Sequence, residues 1–227
     1  MLKRMDGKKE IWEIGICFFL MLAFTVFVGW LEGIMRTDGI WNGILAYLIP
    51  GAAIIIYVLK IERKQLSSVG LQKIRFWDIT GGILLGLTMF AAQQIPLLFM
   101  KMDYTGYAMQ PDPMYIVVMS LYCILCVGLV EELIFRGFIF QKTLAVCDSK
   151  ILSIGINILL FYMIHWSSMQ FTFGEFYSIA VNVILLCVYY FKSKSKSIVP
   201  LIIAHGLYDI MTSVLLPIVV FLINNAS

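Results

Sequence analysis

Residues 114–146 read MYIVVMSLYCILCVGLVEELIFRGFIFQKTLAV. The run is apolar almost throughout, yet it carries Glu131, Glu132 and Arg136 in its middle. A helix needs ~20 apolar residues to cross a hydrocarbon layer of ~30 Å. A charge held at that depth is costly, so one that stays there needs a reason. The stretch therefore reads as a membrane-spanning helix built around charged groups. The rest of the chain agrees. Of 227 residues, 61% are hydrophobic, with 17 Lys and Arg against 14 Asp and Glu. The mean hydropathy of +0.90 excludes an ordinary soluble globular protein and intrinsic disorder. A net charge of +3 offers no basic face for nucleic acid.

Working outward, seven apolar stretches appear: roughly Ile11–Leu31, Ile40–Leu59, Ile79–Met100, Met114–Val130 with its continuation, Ile151–Trp166, Phe176–Phe191 and Ile198–Ile223. The expected fold is all-α, a polytopic transmembrane bundle of about seven spans forming one integral membrane domain over residues 1–227. Lys3, Arg4, Lys8 and Lys9 before the first span resemble the basic region of a signal peptide. The apolar run is too long for one and no small-residue cleavage site follows, so a retained helix is expected. With Arg136 set aside, 14 of the remaining 16 Lys and Arg lie in one set of alternating loops. Only Arg36 and Lys101 lie in the other set, so the positive-inside rule predicts a cytoplasmic N-terminus and an external C-terminus. Residues 61–77 mix basic and apolar side chains and read as a cytoplasmic connector, either an interfacial helix or a solvated loop. Cys123 and Cys126 have metal or redox spacing, but no further ligand is near in sequence, and they read as packing residues.

Four charges (Glu131, Glu132, Arg136 and Asp209) sit in apolar context with the only two histidines, His165 and His205. Glu132 and Arg136 are i and i+4 on a helix, spacing that suits an ion pair. Glu131 points about 100° away and has no basic residue at helical spacing, so it is either protonated or facing a polar cavity. His205 and Asp209 are again i and i+4. Buried ion pairs that merely lock a bundle explain the first pair; the added carboxylate and histidines point to chemistry. Helical rise puts His205 ~12 Å and His165 ~22 Å from the inner ends of their spans. For Glu131 to lie between them, the fourth helix must run unbroken past Arg136 to about Lys142. Gln93, Gln94, Asn157 and Asn182 read as helix-to-helix hydrogen bonders, with Asn157 or Asn182 also candidates to line a cavity.

The ordered set Glu131-Glu132-x-x-x-Arg136-Gly137, Phe161-x-x-x-His165 and His205-x-x-x-Asp209 resembles the CAAX protease and bacteriocin-processing (CPBP, or Abi) family of intramembrane endopeptidases. The resemblance covers roughly residues 114–211. It implies a glutamate-type peptidase that uses neither a metal nor another cofactor. Glu131 would be the general base that activates water with His165. His205 and Asp209 would form the oxyanion site, and Glu132 and Arg136 would support them. The family's eukaryotic prenyl-protein members carry Asn where this chain has Asp209. An ionised Asp cannot donate to an oxyanion, so Asp209 is expected to be protonated or to act by orienting His205. The departure also weakens the inference to a prenylated substrate.

The implied partners are a peptide or protein substrate reached from the membrane and the lipid bilayer itself; the implied setting is a bacterial plasma membrane. Three alternatives stand beside this reading. One Glu and two His could bind zinc, although no HExxH is present. A non-proteolytic scaffold, such as a bacteriocin self-immunity or regulatory partner protein, would need the Glu132–Arg136 pair but not Glu131. A proton-coupled transporter would want buried Glu and His, usually on inverted halves that are not evident here.

Overall fold

The computed structural model describes residues 7–35, 40–99, 108–165 and 172–226. Lys3, Arg4, Arg36, Met100, Lys101 and Trp166, which figure in the sequence reading, lie outside the described residues. Within them the regular structure is entirely helical, as expected. We label seven helices: α1 (Lys8–Met35), α2 (Ile40–Ile56, continued by a π-helical turn Tyr57–Ile61), α3 (Phe76–Phe99), α4 (Pro113–Cys147), α5 (Lys150–Ile164), α6 (Phe173–Lys192) and α7 (residues 199–226). All but α5 are long and apolar enough to cross a membrane. At 15 residues, α5 spans only about 22 Å.

Local sequence sets the helix ends. Asp112 caps α4, accepting from the Met114 N–H, with Pro113 in the first helical turn where no N–H is needed. Asp148 ends α4 in the left-handed region, and Ser149 caps α5 by accepting from the Leu152 N–H. Thr172 and Glu175 form a reciprocal capping box at the start of α6.

As expected, α4 does not break at Arg136; it continues as helix to Cys147. Its winding is less regular than the apolar pattern implies. Two π-helical stretches, Cys123–Gly128 and Leu133–Ile139, flank the single α-helical turn Leu129–Glu132. Such widened turns are found mostly where a helix carries function.

The chain divides into two compact units, Met1–Gln72 with Val130–Ile198, and Lys73–Leu129 with Val199–Ser227. In the first, α1, α2, α5 and α6 surround the later part of α4, whose residues 130–140 are all buried. One end of this unit is held by a charge cluster. Lys142 of α4 donates to Glu13 of α1 at 2.5 Å and to Glu62 at 2.6 Å, while the Tyr57 hydroxyl donates to the other Glu13 oxygen. The connector after α2 is largely exposed, but one part of it is tied to the unit. It makes one 3-10 turn, Leu66–Val69, closed by Gly70 at φ +80°, and the Ile198 N–H donates to the Gly70 carbonyl at 2.9 Å. Val69 is buried against α4, and a Cβ at Gly137 would lie 2.6 Å from the Val69 carbonyl oxygen. The glycine that follows Arg136 is thus the seat of this strap.

In the second unit α7 lies against both α3 and the first part of α4, and small residues make the contacts. Gly82 and Gly86, one turn apart on α3, meet α7 so closely that an added Cβ would come within 2.8 Å of the Pro200 and Ala204 carbonyl oxygens, respectively. Gly206 of α7 likewise meets the Ile124 Cα, with 2.8 Å to an added Cβ. Lipid supplies no hydrophobic drive between helices, so close backbone packing must hold them together. The Tyr208 hydroxyl adds a hydrogen bond to Gln93, the helix-to-helix role expected of that glutamine. Gly86→Leu should therefore destabilise the protein by about 1–3 kcal/mol, through overpacking at backbone. Unfolding in detergent micelles measures this, with the lipid-facing change Leu84→Ala as a near-neutral control.

Candidate active site

The first unit holds Glu131, Glu132, Arg136 and His165. Both glutamates are essentially inaccessible, as is Arg136. Arg136 Nη1 donates to Glu132 Oε1 at 2.8 Å, so the i, i+4 pair expected from spacing is present. Two buried ions offset their desolvation only when they meet with good geometry. The guanidinium also lies 5.0 Å from the centre of the Phe161 ring on α5, an attraction that strengthens away from water. Among the described residues its Nε and Nη2 make no hydrogen bond. Cys187 of α6 lies beside it.

Glu131 faces elsewhere. Its Oε1 accepts a hydrogen bond of 2.9 Å from the Tyr47 hydroxyl of α2. The Arg136 pair and the Tyr47 hydrogen bond thus fall on consecutive carboxylates.

Phe161 connects this helix to the histidine. Its ring packs edge-on against Phe135 with centroids 4.8 Å apart and stacks on His165 at 4.7 Å. His165 terminates α5, and its Nδ1 lies 2.8 Å from the Phe161 carbonyl oxygen. A carbonyl can only accept, so Nδ1 carries the hydrogen and, in the neutral ring, Nε2 carries the lone pair. The spacing Phe161-x-x-x-His165 has a physical basis in this double use of one residue, carbonyl and ring. Asn157, two turns earlier on the same helix, is fully buried and donates 3.1 Å to the Phe135 carbonyl in the π-helical stretch of α4. Of the two roles open to it from sequence, the structure shows helix-to-helix hydrogen bonding.

His205 and Asp209 belong to the second unit, on α7. His205 is buried, and its Nε2 is 3.7 Å from Asp209 Oδ2. The two share a face as i, i+4 spacing requires, at a separation suited to charge attraction but beyond hydrogen-bond length. Gly206 seats this part of α7 against α4 directly beside His205.

Sequence reasoning missed Tyr47, an aromatic among apolar residues of α2, and the use of Phe161 as a bridge. It also left Glu13 and Lys142 among ordinary charges, although Glu13 is buried and Lys142 half-buried in the cluster described above. The five cysteines are free thiols, four of them buried. Among the described residues no group of three or more His, Cys, Asp or Glu has the geometry to hold a metal ion.

The chain is a polytopic helical membrane protein whose later helices carry acidic, basic and imidazole groups. Residues 113–211 match the family model described as type II CAAX prenyl endopeptidase, Rce1-like. The matched segment, a little under half of the chain, is similar to that family and carries all three motifs. No curated protein and no solved structure matches the chain.

Removing one ion of the buried pair exposes its role. Arg136→Met should cost about 3–5 kcal/mol by leaving Glu132 as an uncompensated buried charge. Adding Glu132→Leu in the same chain should recover most of that loss. Unfolding midpoints of the two single variants and the double variant in detergent check this.

Proposed function

We propose that this protein is an intramembrane endopeptidase that hydrolyses a peptide bond of a membrane-associated or lipidated substrate with a glutamate-activated water. The observation that carries the reading is the division of the adjacent carboxylates. Arg136 donates to Glu132 at 2.8 Å and the Tyr47 hydroxyl donates to Glu131 at 2.9 Å, so a support role for Glu132 and a base role for Glu131 fall on different side chains. In this reading Glu131 takes a proton from water as the water oxygen attacks the scissile carbonyl carbon. The proton then passes to the leaving amine as the C–N bond breaks. His165, held by the Phe161 carbonyl with its lone pair on Nε2, is suited to share that proton. His205 takes the oxyanion side, with Asp209 orienting it rather than donating to the oxyanion itself. No metal is assigned a part in this scheme. The loop charges favour a cytoplasmic N-terminus and an external C-terminus in a bacterial plasma membrane.

A groove of about 150 Å³ supports a lipid-bearing substrate. It runs between α1 and α2 and is lined by Met21, Phe24, Pro50 and Ala53 among others, reaching Ile134 on α4. Ile134 is one helical turn from Glu131, and Pro50 one turn from Tyr47. An isoprenoid or acyl chain lying there would bring its attached peptide toward the proposed base. Ala53→Trp should fill the groove, raising KM for a lipidated peptide while leaving cleavage of the same peptide without lipid unchanged. Equal effects on both peptides would remove the groove from the account.

The central test is cleavage of a prenylated peptide by the purified protein in liposomes, with products identified by mass. Glu131→Gln should lower kcat by about 10²–10⁴-fold, the range for a lost general base, with an unfolding midpoint like that of the wild type. A folded Glu131→Gln variant that cleaves normally would overturn the protease reading.

A further inference from the structure

Tyr47 lies on α2, well outside the segment 113–211 that matches the endopeptidase family, yet its hydroxyl is 2.9 Å from Glu131 Oε1. The contact joins residues 84 positions apart, and α2 is built to make it. Gly51, one turn beyond Tyr47 on the same face, sits so close to α4 that an added Cβ would lie 2.9 Å from a methyl of Val130. Val130 directly precedes Glu131. At the far end of α2, Tyr57 bonds to Glu13, which Lys142 of α4 also holds. Two further contacts thus fix the height and approach of α2 along α4, and Tyr47 is presented between them and the proposed base.

The terminal torsion of a glutamate is broad and roughly two-fold, so a carboxylate held only through its own chain can turn. A single donor on one oxygen removes that freedom. We propose that Tyr47 is a positioning residue for Glu131. Its hydroxyl holds Oε1, fixes the carboxylate plane, and makes Oε2 the oxygen that takes the proton from water. The phenol remains a donor throughout and exchanges no proton in the step. This orienting contact comes from α2. The proposal rests on Glu131 being the base, and the experiment separates the two ideas.

Tyr47→Phe removes one oxygen and keeps the ring. With the purified protein in liposomes and a prenylated peptide, kcat should fall between about 10- and 100-fold, the scale of a misaligned catalytic group. KM and the unfolding midpoint should stay at wild-type values. A merely structural tyrosine would instead lower the midpoint and leave kcat per folded molecule intact. Gly51→Val provides a second route, since it pushes α2 from Val130 without touching the phenol. It should lower kcat in the same direction, and the double variant should lose no more than the worse single one. Wild-type kcat in Tyr47→Phe, with Glu131→Gln inactive, would overturn the role of Tyr47 alone. Full additivity of Tyr47→Phe and Gly51→Val would do the same. Activity retained in Glu131→Gln would instead strike the assignment of the base.

Discussion

The buried pair of Arg136 and Glu132 is the interaction on which the rest of the first unit depends. A guanidinium with no exposed surface must be balanced locally, and Glu132 does this at 2.8 Å. The surrounding structure is built to keep the pair dry and aligned. Phe161 covers the guanidinium from α5, Gly137 lets the Val69 strap press onto the helix, and Asn157 ties the π-helical stretch to α5. Through Phe161 the same packing reaches His165, so the ion pair and the imidazole share one support. The proposed chemistry falls to its neighbour in sequence, Glu131, which accepts a hydrogen bond from a phenol.

Much of this was legible in the sequence, for a plain reason. Helical spacing is one-dimensional, so Glu132 with Arg136 and His205 with Asp209 could be read directly from intervals of four. The run of α4 past Arg136 followed from the apolar, proline-free continuation to Val146. What could not be read were contacts across distant segments and departures from regular winding. No residue pattern marks the π-helical stretches on either side of Glu131. Tyr47 looks like any aromatic in an apolar helix until α2 is placed against α4. The strap around Gly70 hid within a basic connector because its one decisive feature is a left-handed glycine pressed against another backbone. Lys142 counted among the loop charges because its partners, Glu13 and Glu62, come from far earlier in the chain.

The second unit applies a different rule of membrane folding. Gly82, Gly86, Gly128 and Gly206 let α3, α4 and α7 approach to backbone contact, where dispersion forces and close carbonyl packing replace the missing hydrophobic drive. His205 is carried beside one of those glycines, so backbone packing sets the height of its helix. The family match covers this helix as far as residue 211, and α4 from its start. Helices α1, α2 and α3 lie outside it. They supply the groove, Tyr47 and the glycine pair.

The most direct measurement of the central claim is a single turnover in water enriched in heavy oxygen, with enzyme in excess over a prenylated peptide. A water activated by Glu131 places the label in the new carboxylate of the product and leaves the Glu131 side chain unlabelled, as mass analysis of the product and of the α4 peptide would show. Heavy oxygen in Glu131 after one turnover, with an unlabelled product carboxylate, would mean that the carboxylate itself attacks the peptide. That result would contradict the account.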